Sequence, residues 1–130
     1  HIYIFAMENF VPVAKPWVYG AYINICRRQL ESAAKDVPVI VGEWCICNKY
    51  ADRMGKTVMD AEDFEREQRR KYREIAGLQL DAWGKAAGWF YWNYQLLRSR
   101  TEPVDESWKE SWDFARCFNH GWLTREDITK

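Results

Sequence analysis

Residues 37–41, Val-Pro-Val-Ile-Val, form a nearly unbroken β-branched run that ends at Gly42 and Glu43, and no other feature restricts the fold of this chain as tightly. A run without polar alternation predicts a strand buried on both faces, which is the habit of parallel sheets. Pro38 stands at its start, where a missing N–H is tolerated. A parallel neighbour needs a crossover helix, and the following residues supply one. Asp60 is a candidate N-cap with Glu62, Asp63 and Glu65 in the first turn, and Phe64, Tyr72, Ile75, Ala76, Gln79 and Trp83 recur at helical spacing. Glu62/Arg66, Glu65/Arg69 and Glu67/Lys71 are opposite charges four apart and read as a solvated face. Residues 89–94 then form another apolar run, read as a strand after Gly88.

The flanks repeat the alternation. Residues 2–6 read as a strand, followed by a loop through Glu8, Asn9, Pro12 and Pro16. Pro16 suits a first helical turn, and Val18, Tyr22, Ile25, Cys26, Gln29, Leu30 and Ala33 predict an amphipathic helix ending near Asp36. A last helix starts near Ser107, with Trp108, Trp112, Ala115 and Phe118 on one side and Gly121 closing it. The predicted fold class is therefore α/β: three consecutive βα units with parallel strands near 2–6, 37–42 and 89–94, in a single partial domain over residues 1–130. Closing an eightfold barrel takes about 250 residues. Three strands do not close, so the expectation is that other segments complete the sheet or that copies of the chain self-associate along its open edges.

Charge removes several function classes. Nineteen Lys and Arg balance nineteen Asp and Glu, which leaves no field to attract nucleic acid or an anionic membrane surface. No stretch approaches the roughly 20 apolar residues that cross a bilayer. The four cysteines, Cys26, Cys45, Cys47 and Cys117, form no Cys-x-x-Cys pair and are too sparse for a disulfide scaffold, so they read as buried or semi-buried free thiols. His1 and His120 lack metal-ligand spacing to Cys45 and Cys47, and neither a metal nor another cofactor is expected. The chain opens on His1 directly inside an apolar run, which reads as a processed or excised piece. Eight Trp, seven Tyr and six Phe suit a heavy core or a sugar-binding cleft.

Glu43 follows the buried run directly, so its carboxylate emerges at the carboxyl end of a parallel strand, where barrel enzymes gather their catalytic groups. Trp44 adjoins it, Trp92 lies near the carboxyl end of the next strand, and His1 and Tyr3 alternate onto one face of the first. A carboxylate within reach of a phenol, an imidazole and flat indoles suits glycoside cleavage, in which the acid attacks the sugar carbon, the phenol orients the acid and an indole stacks on the ring.

These motifs carry a resemblance. Residues 39–44, Val-Ile-Val-Gly-Glu-Trp, resemble the seventh strand of glycoside hydrolase family 5, residues 1–3, His-Ile-Tyr, its sixth, and residues 88–94, Gly-Trp-Phe-Tyr-Trp-Asn-Tyr, its eighth. Residues 112–114 and 121–123 are similar to the closing helix of its exo-1,3-β-glucanase and cellulase-like branch. The resemblance implies the C-terminal portion of a (β/α)8 barrel, secretion, and retaining hydrolysis of a β-glucan or β-glucoside. In that scheme Glu43 is the nucleophile, Tyr3 orients it, His1 contacts substrate, and Trp92 and Trp44 bind the sugar. The family's general acid/base follows an Asn on an earlier strand. Glu8 precedes Asn9 and does not fit that pattern, so the acid is expected in an N-terminal segment outside this chain. The alternative is a noncatalytic carbohydrate-binding or self-associating barrel fragment.

Overall fold

The computed structural model describes residues 4–8, 10, 15–52, 60–96 and 107–129. Helix dominates them. In chain order they hold α1 (Ile4–Met7), α2 (Pro16–Ala33), β1 (Ile40–Trp44), α3 (Lys49–Asp52), α4 (Ala61–Trp83), β2 (Gly88–Tyr91), a 3₁₀ helix (Ser107–Trp112), α5 (Phe114–Asn119) and α6 (Arg125–Ile128). The expected three consecutive βα units of a barrel are not what forms. Among the described residues the sheet has two strands, β1 and β2, paired in parallel with α4 as their crossover.

The first expected strand is the clearest departure. His1 and Tyr3 lie outside the described residues, and residues 4–7 are a helical turn, α1. Short apolar runs fit either structure, and Phe, Ala and Met carry no β-branching to decide it. Ile4 is fully buried in the core that includes Tyr19 and Ile23 of α2, so its burial is met by helix packing instead of strand pairing.

The two long helices follow from their sequences. Pro16 opens α2, and the Asp60 side chain caps α4 by accepting from the Asp63 N–H at 2.7 Å. Gln68, Tyr72, Ile75, Ala76, Gln79, Ala82 and Trp83 form the buried stripe of α4, close to the expected one. In α2 the buried residues are Tyr19, Ile23, Cys26 and Leu30, and Ile25 is exposed. The stripe sits one residue round from the expected one because Tyr19 turns inward to donate to the Glu8 carboxylate. The ion pairs on α4 also differ: Arg66 meets Asp63, and Arg70 meets Glu67 at 2.7 Å and Glu74 at 3.2 Å. Arg69 instead donates from Nε to the His120 carbonyl at 3.0 Å.

One face of the sheet packs inward through Val41, Trp44, Trp89 and Tyr91, with Trp44 edge-on to both of the others' rings at 5.3 and 5.0 Å. The opposite face shows Ile40 at 57% and Phe90 at 64% exposure. Among the described residues, no helix is long and apolar enough to cross a membrane. The stripe of α4 predicts a sharp contrast between neighbouring apolar positions. Ile75→Ala is expected to cost about 2–5 kcal/mol in urea unfolding, and the partly exposed Leu78→Ala less than about 1 kcal/mol.

Candidate functional site

The register of the sheet places Glu43. Val41 pairs with Trp89 and Trp44 with Tyr91, so Gly42 and Glu43 together stand opposite the single residue Phe90. This is a β-bulge, a device that turns a side chain out of the regular alternation and is frequent beside active sites. It lets the chain bury Trp44 while Glu43, its neighbour, stays partly exposed at the carboxyl end of β1. The Trp92 N–H donates to the Trp44 carbonyl at 2.8 Å, which carries the pairing past the end of β2. Trp92 is 44% exposed there. The acid and an accessible indole thus share one end of one sheet, and the Trp92–Asn93 peptide bond is cis.

Trp44 requires a correction. At 0% exposure its indole is part of the core, so the expected sugar-stacking role is left to Trp92 alone. The segment after Trp92 is clasped from above: the Asn93 N–H donates to the Trp112 carbonyl at 2.6 Å and the Phe114 N–H to the Asn93 carbonyl at 2.9 Å. Asp113 is buried and accepts from the Leu96 and Arg116 N–H groups, both at 3.0 Å, so this carboxylate caps α5 and holds the loop. Tyr91 links the same two regions. Its hydroxyl donates to the Ser111 carbonyl and accepts from the Ile46 N–H at 3.1 Å.

Beside the residues that follow β1 lie two inward carboxylates. Glu8, weighed and set aside as the general acid, is buried, and its Oε1 accepts from the Tyr19 hydroxyl and from the Lys49 N–H at 2.6 Å. It pins the end of α1 to the start of α3. Asp52 accepts from the Tyr72 hydroxyl and from the Cys47 thiol. Burial pushes the Asp52 carboxyl up to about 6 against the Tyr72 hydrogen bond, and the charge of Glu8 pushes the same way. Burial likewise drives the Cys47 and Cys117 thiols up to about 12, which keeps them neutral and poorly nucleophilic. All four cysteines are unpaired and buried.

Sequence reasoning passed over Asp52 and Tyr72 as partners, because they sit in different elements 20 residues apart and only the fold joins them. The bulge also left no clear signal beyond Gly42. Among the described residues, no group of three or more His, Cys, Asp or Glu is placed to hold a metal ion.

Asp52 makes folding sensitive to pH in a definite direction. Its carboxyl binds a proton more tightly folded than unfolded, so its contribution is full below the ordinary value of 3.8 and is lost as pH rises through about 6. Asp52→Asn keeps an acceptor for Tyr72 and removes the titration. Urea unfolding of both proteins at several pH values is expected to show the variant gaining about 2 kcal/mol on the wild type between pH 4 and 7. A constant difference contradicts it. Compared with family models and with curated proteins, the chain matches none.

Proposed function

We propose that this chain serves retaining hydrolysis of a β-glucan or β-glucoside, with Glu43 as nucleophile and Trp92 as the platform for the sugar ring. The observation that carries the reading is the bulge opposite Phe90, which leaves a carboxylate partly exposed at the strand end beside a 44% exposed indole. An indole face covers the apolar C–H side of a pyranose, and a carboxylate next to it reaches the anomeric carbon. In this scheme Tyr3 orients Glu43 and His1 contacts substrate.

Retention needs a second carboxyl about 5–5.5 Å from the first. Glu8, Asp52 and Asp113 are each engaged in holding elements together. The proposal therefore takes the proton donor from a carboxyl outside this chain. Without that donor, glycosides with poor leaving groups lose about 10²–10⁴-fold in rate, whereas a dinitrophenyl leaving group needs no proton. A second reading, binding of saccharide without cleavage, is favoured by the same engagement of Glu8.

A dinitrophenyl β-glucoside separates the two readings. Hydrolysis is expected, with Glu43→Gln lowering turnover by at least about 10³-fold and Trp92→Ala raising KM several-fold. Saccharide binding with no release of dinitrophenol favours the noncatalytic reading, and unchanged turnover in Glu43→Gln removes the nucleophile assignment.

A further inference from the structure

A single turn of helix, α3, is fastened at each end by a buried carboxylate. At its start the Lys49 N–H donates to Glu8 Oε1 at 2.6 Å, and at its end Asp52 accepts from the Tyr72 hydroxyl of α4. One turn has little stability of its own, so these tethers and the burial of Ala51 hold it in place. Asn48 braces the start, where its Oδ1 accepts from the Ala51 N–H at 2.8 Å and its Nδ2 donates to the Ile46 carbonyl at 2.7 Å. The turn lies against Cys47, which is 6% exposed and whose thiol donates to Asp52 Oδ2 at 3.9 Å.

The two carboxylates oppose each other. Burial makes a charge on Asp52 costly, and the charge of Glu8 acts in the same sense against the Tyr72 and Cys47 hydrogen bonds. The nearby cations are turned elsewhere. Lys49 donates from Nζ to the Glu8 main-chain carbonyl at 3.3 Å, and Arg70 and Lys71 of α4 meet Tyr50, at 3.3 Å to its hydroxyl and 4.5 Å to its ring centre. The other titratable groups that face Asp52 are Tyr19 of α2, Tyr72 of α4 and Cys45 and Cys47 after β1. Burial raises each of them, which keeps them neutral. A proton on Asp52 therefore removes one of two like charges from this cluster, and its loss near pH 6 restores both.

We propose that α3 is a pH-sensitive latch over Cys47, closed while Asp52 carries its proton and released when that proton leaves. The proposal stands whether or not Glu43 cleaves a glycoside. Opening of the turn alone uncovers Cys47, whereas unfolding of the whole chain uncovers Cys117 of α5 equally. The full chain is pulsed with iodoacetamide at pH values from 5 to 8, and the labelling of each cysteine is read by peptide mass mapping. Both thiols stand at about 12, so the Cys47 to Cys117 ratio cancels the ordinary rise of thiolate with pH. That ratio is expected to rise about tenfold in the wild type and to stay flat in Asp52→Asn. Should Asp52→Asn lose its fold, Glu8→Gln is read instead. It takes away the opposing charge, and less than about half of the wild-type rise is expected. A constant ratio in the wild type, or the full rise in the variant that folds, overturns the proposal.

Discussion

The parallel pairing of β1 with β2 is the constraint on which the rest of the structure depends. Two parallel strands alone are a weak unit, and this pair is held by what covers and extends it. Phe114 of α5 packs on the inner-face rings of Trp89 and Tyr91 at 6.4 and 4.9 Å, and the bonds from Ala87 to Val39 and from Trp92 to Trp44, both 2.8 Å, lengthen the ladder at either end. Tyr91 then ties the loop after β1 to the 3₁₀ helix. Because the strands run the same way, both of their following segments emerge at one end. That single fact brings Glu43, Trp92 and the clasp at Asn93 into one neighbourhood.

Polar groups inside this fold act as fasteners between elements. Glu8 joins α1, α2 and α3, Asp52 joins α3 to α4 through Tyr72, and Asp113 joins the segment after β2 to α5. Each carboxylate is satisfied by donors from a different part of the chain, so removing one partner leaves a buried charge uncompensated. At Asp52 burial outweighs the hydrogen bonds and holds the carboxyl up to about 6. The Tyr72–Trp122–His120 stack runs from that carboxylate to the end of α5, so one aromatic column ties this fastener to the closing part of the chain.

Local chemistry made the central βαβ element legible in the sequence. The β-branched run into Gly42, the Asp60 cap and the stripe from Tyr72 to Trp83 each state their structure within a few residues. What was not legible depends on contacts made at a distance. Residues 2–6 read as a strand because an apolar run looks alike in either structure, and the docking of Ile4 against α2 decides for helix over Ile4–Met7. The three-unit barrel portion fell with that strand. Trp44 was read as a sugar-binding residue because adjacency to Glu43 implied a shared setting, and the bulge separates the two into core and surface. The α4 arginines followed the same rule: Arg69 left its helical neighbour for a carbonyl 51 residues away.

Glu43, partly exposed, and Trp92, exposed, stand at the same end of two parallel strands, and the proposed function makes the first the nucleophile and the second the sugar platform. Covalent trapping tests that account most directly. After incubation with a 2-deoxy-2-fluoro-β-glucosyl fluoride, peptide mass mapping is predicted to find one fluoroglucosyl adduct, on Glu43. An adduct on any other residue, or an unmodified chain after prolonged incubation, contradicts it.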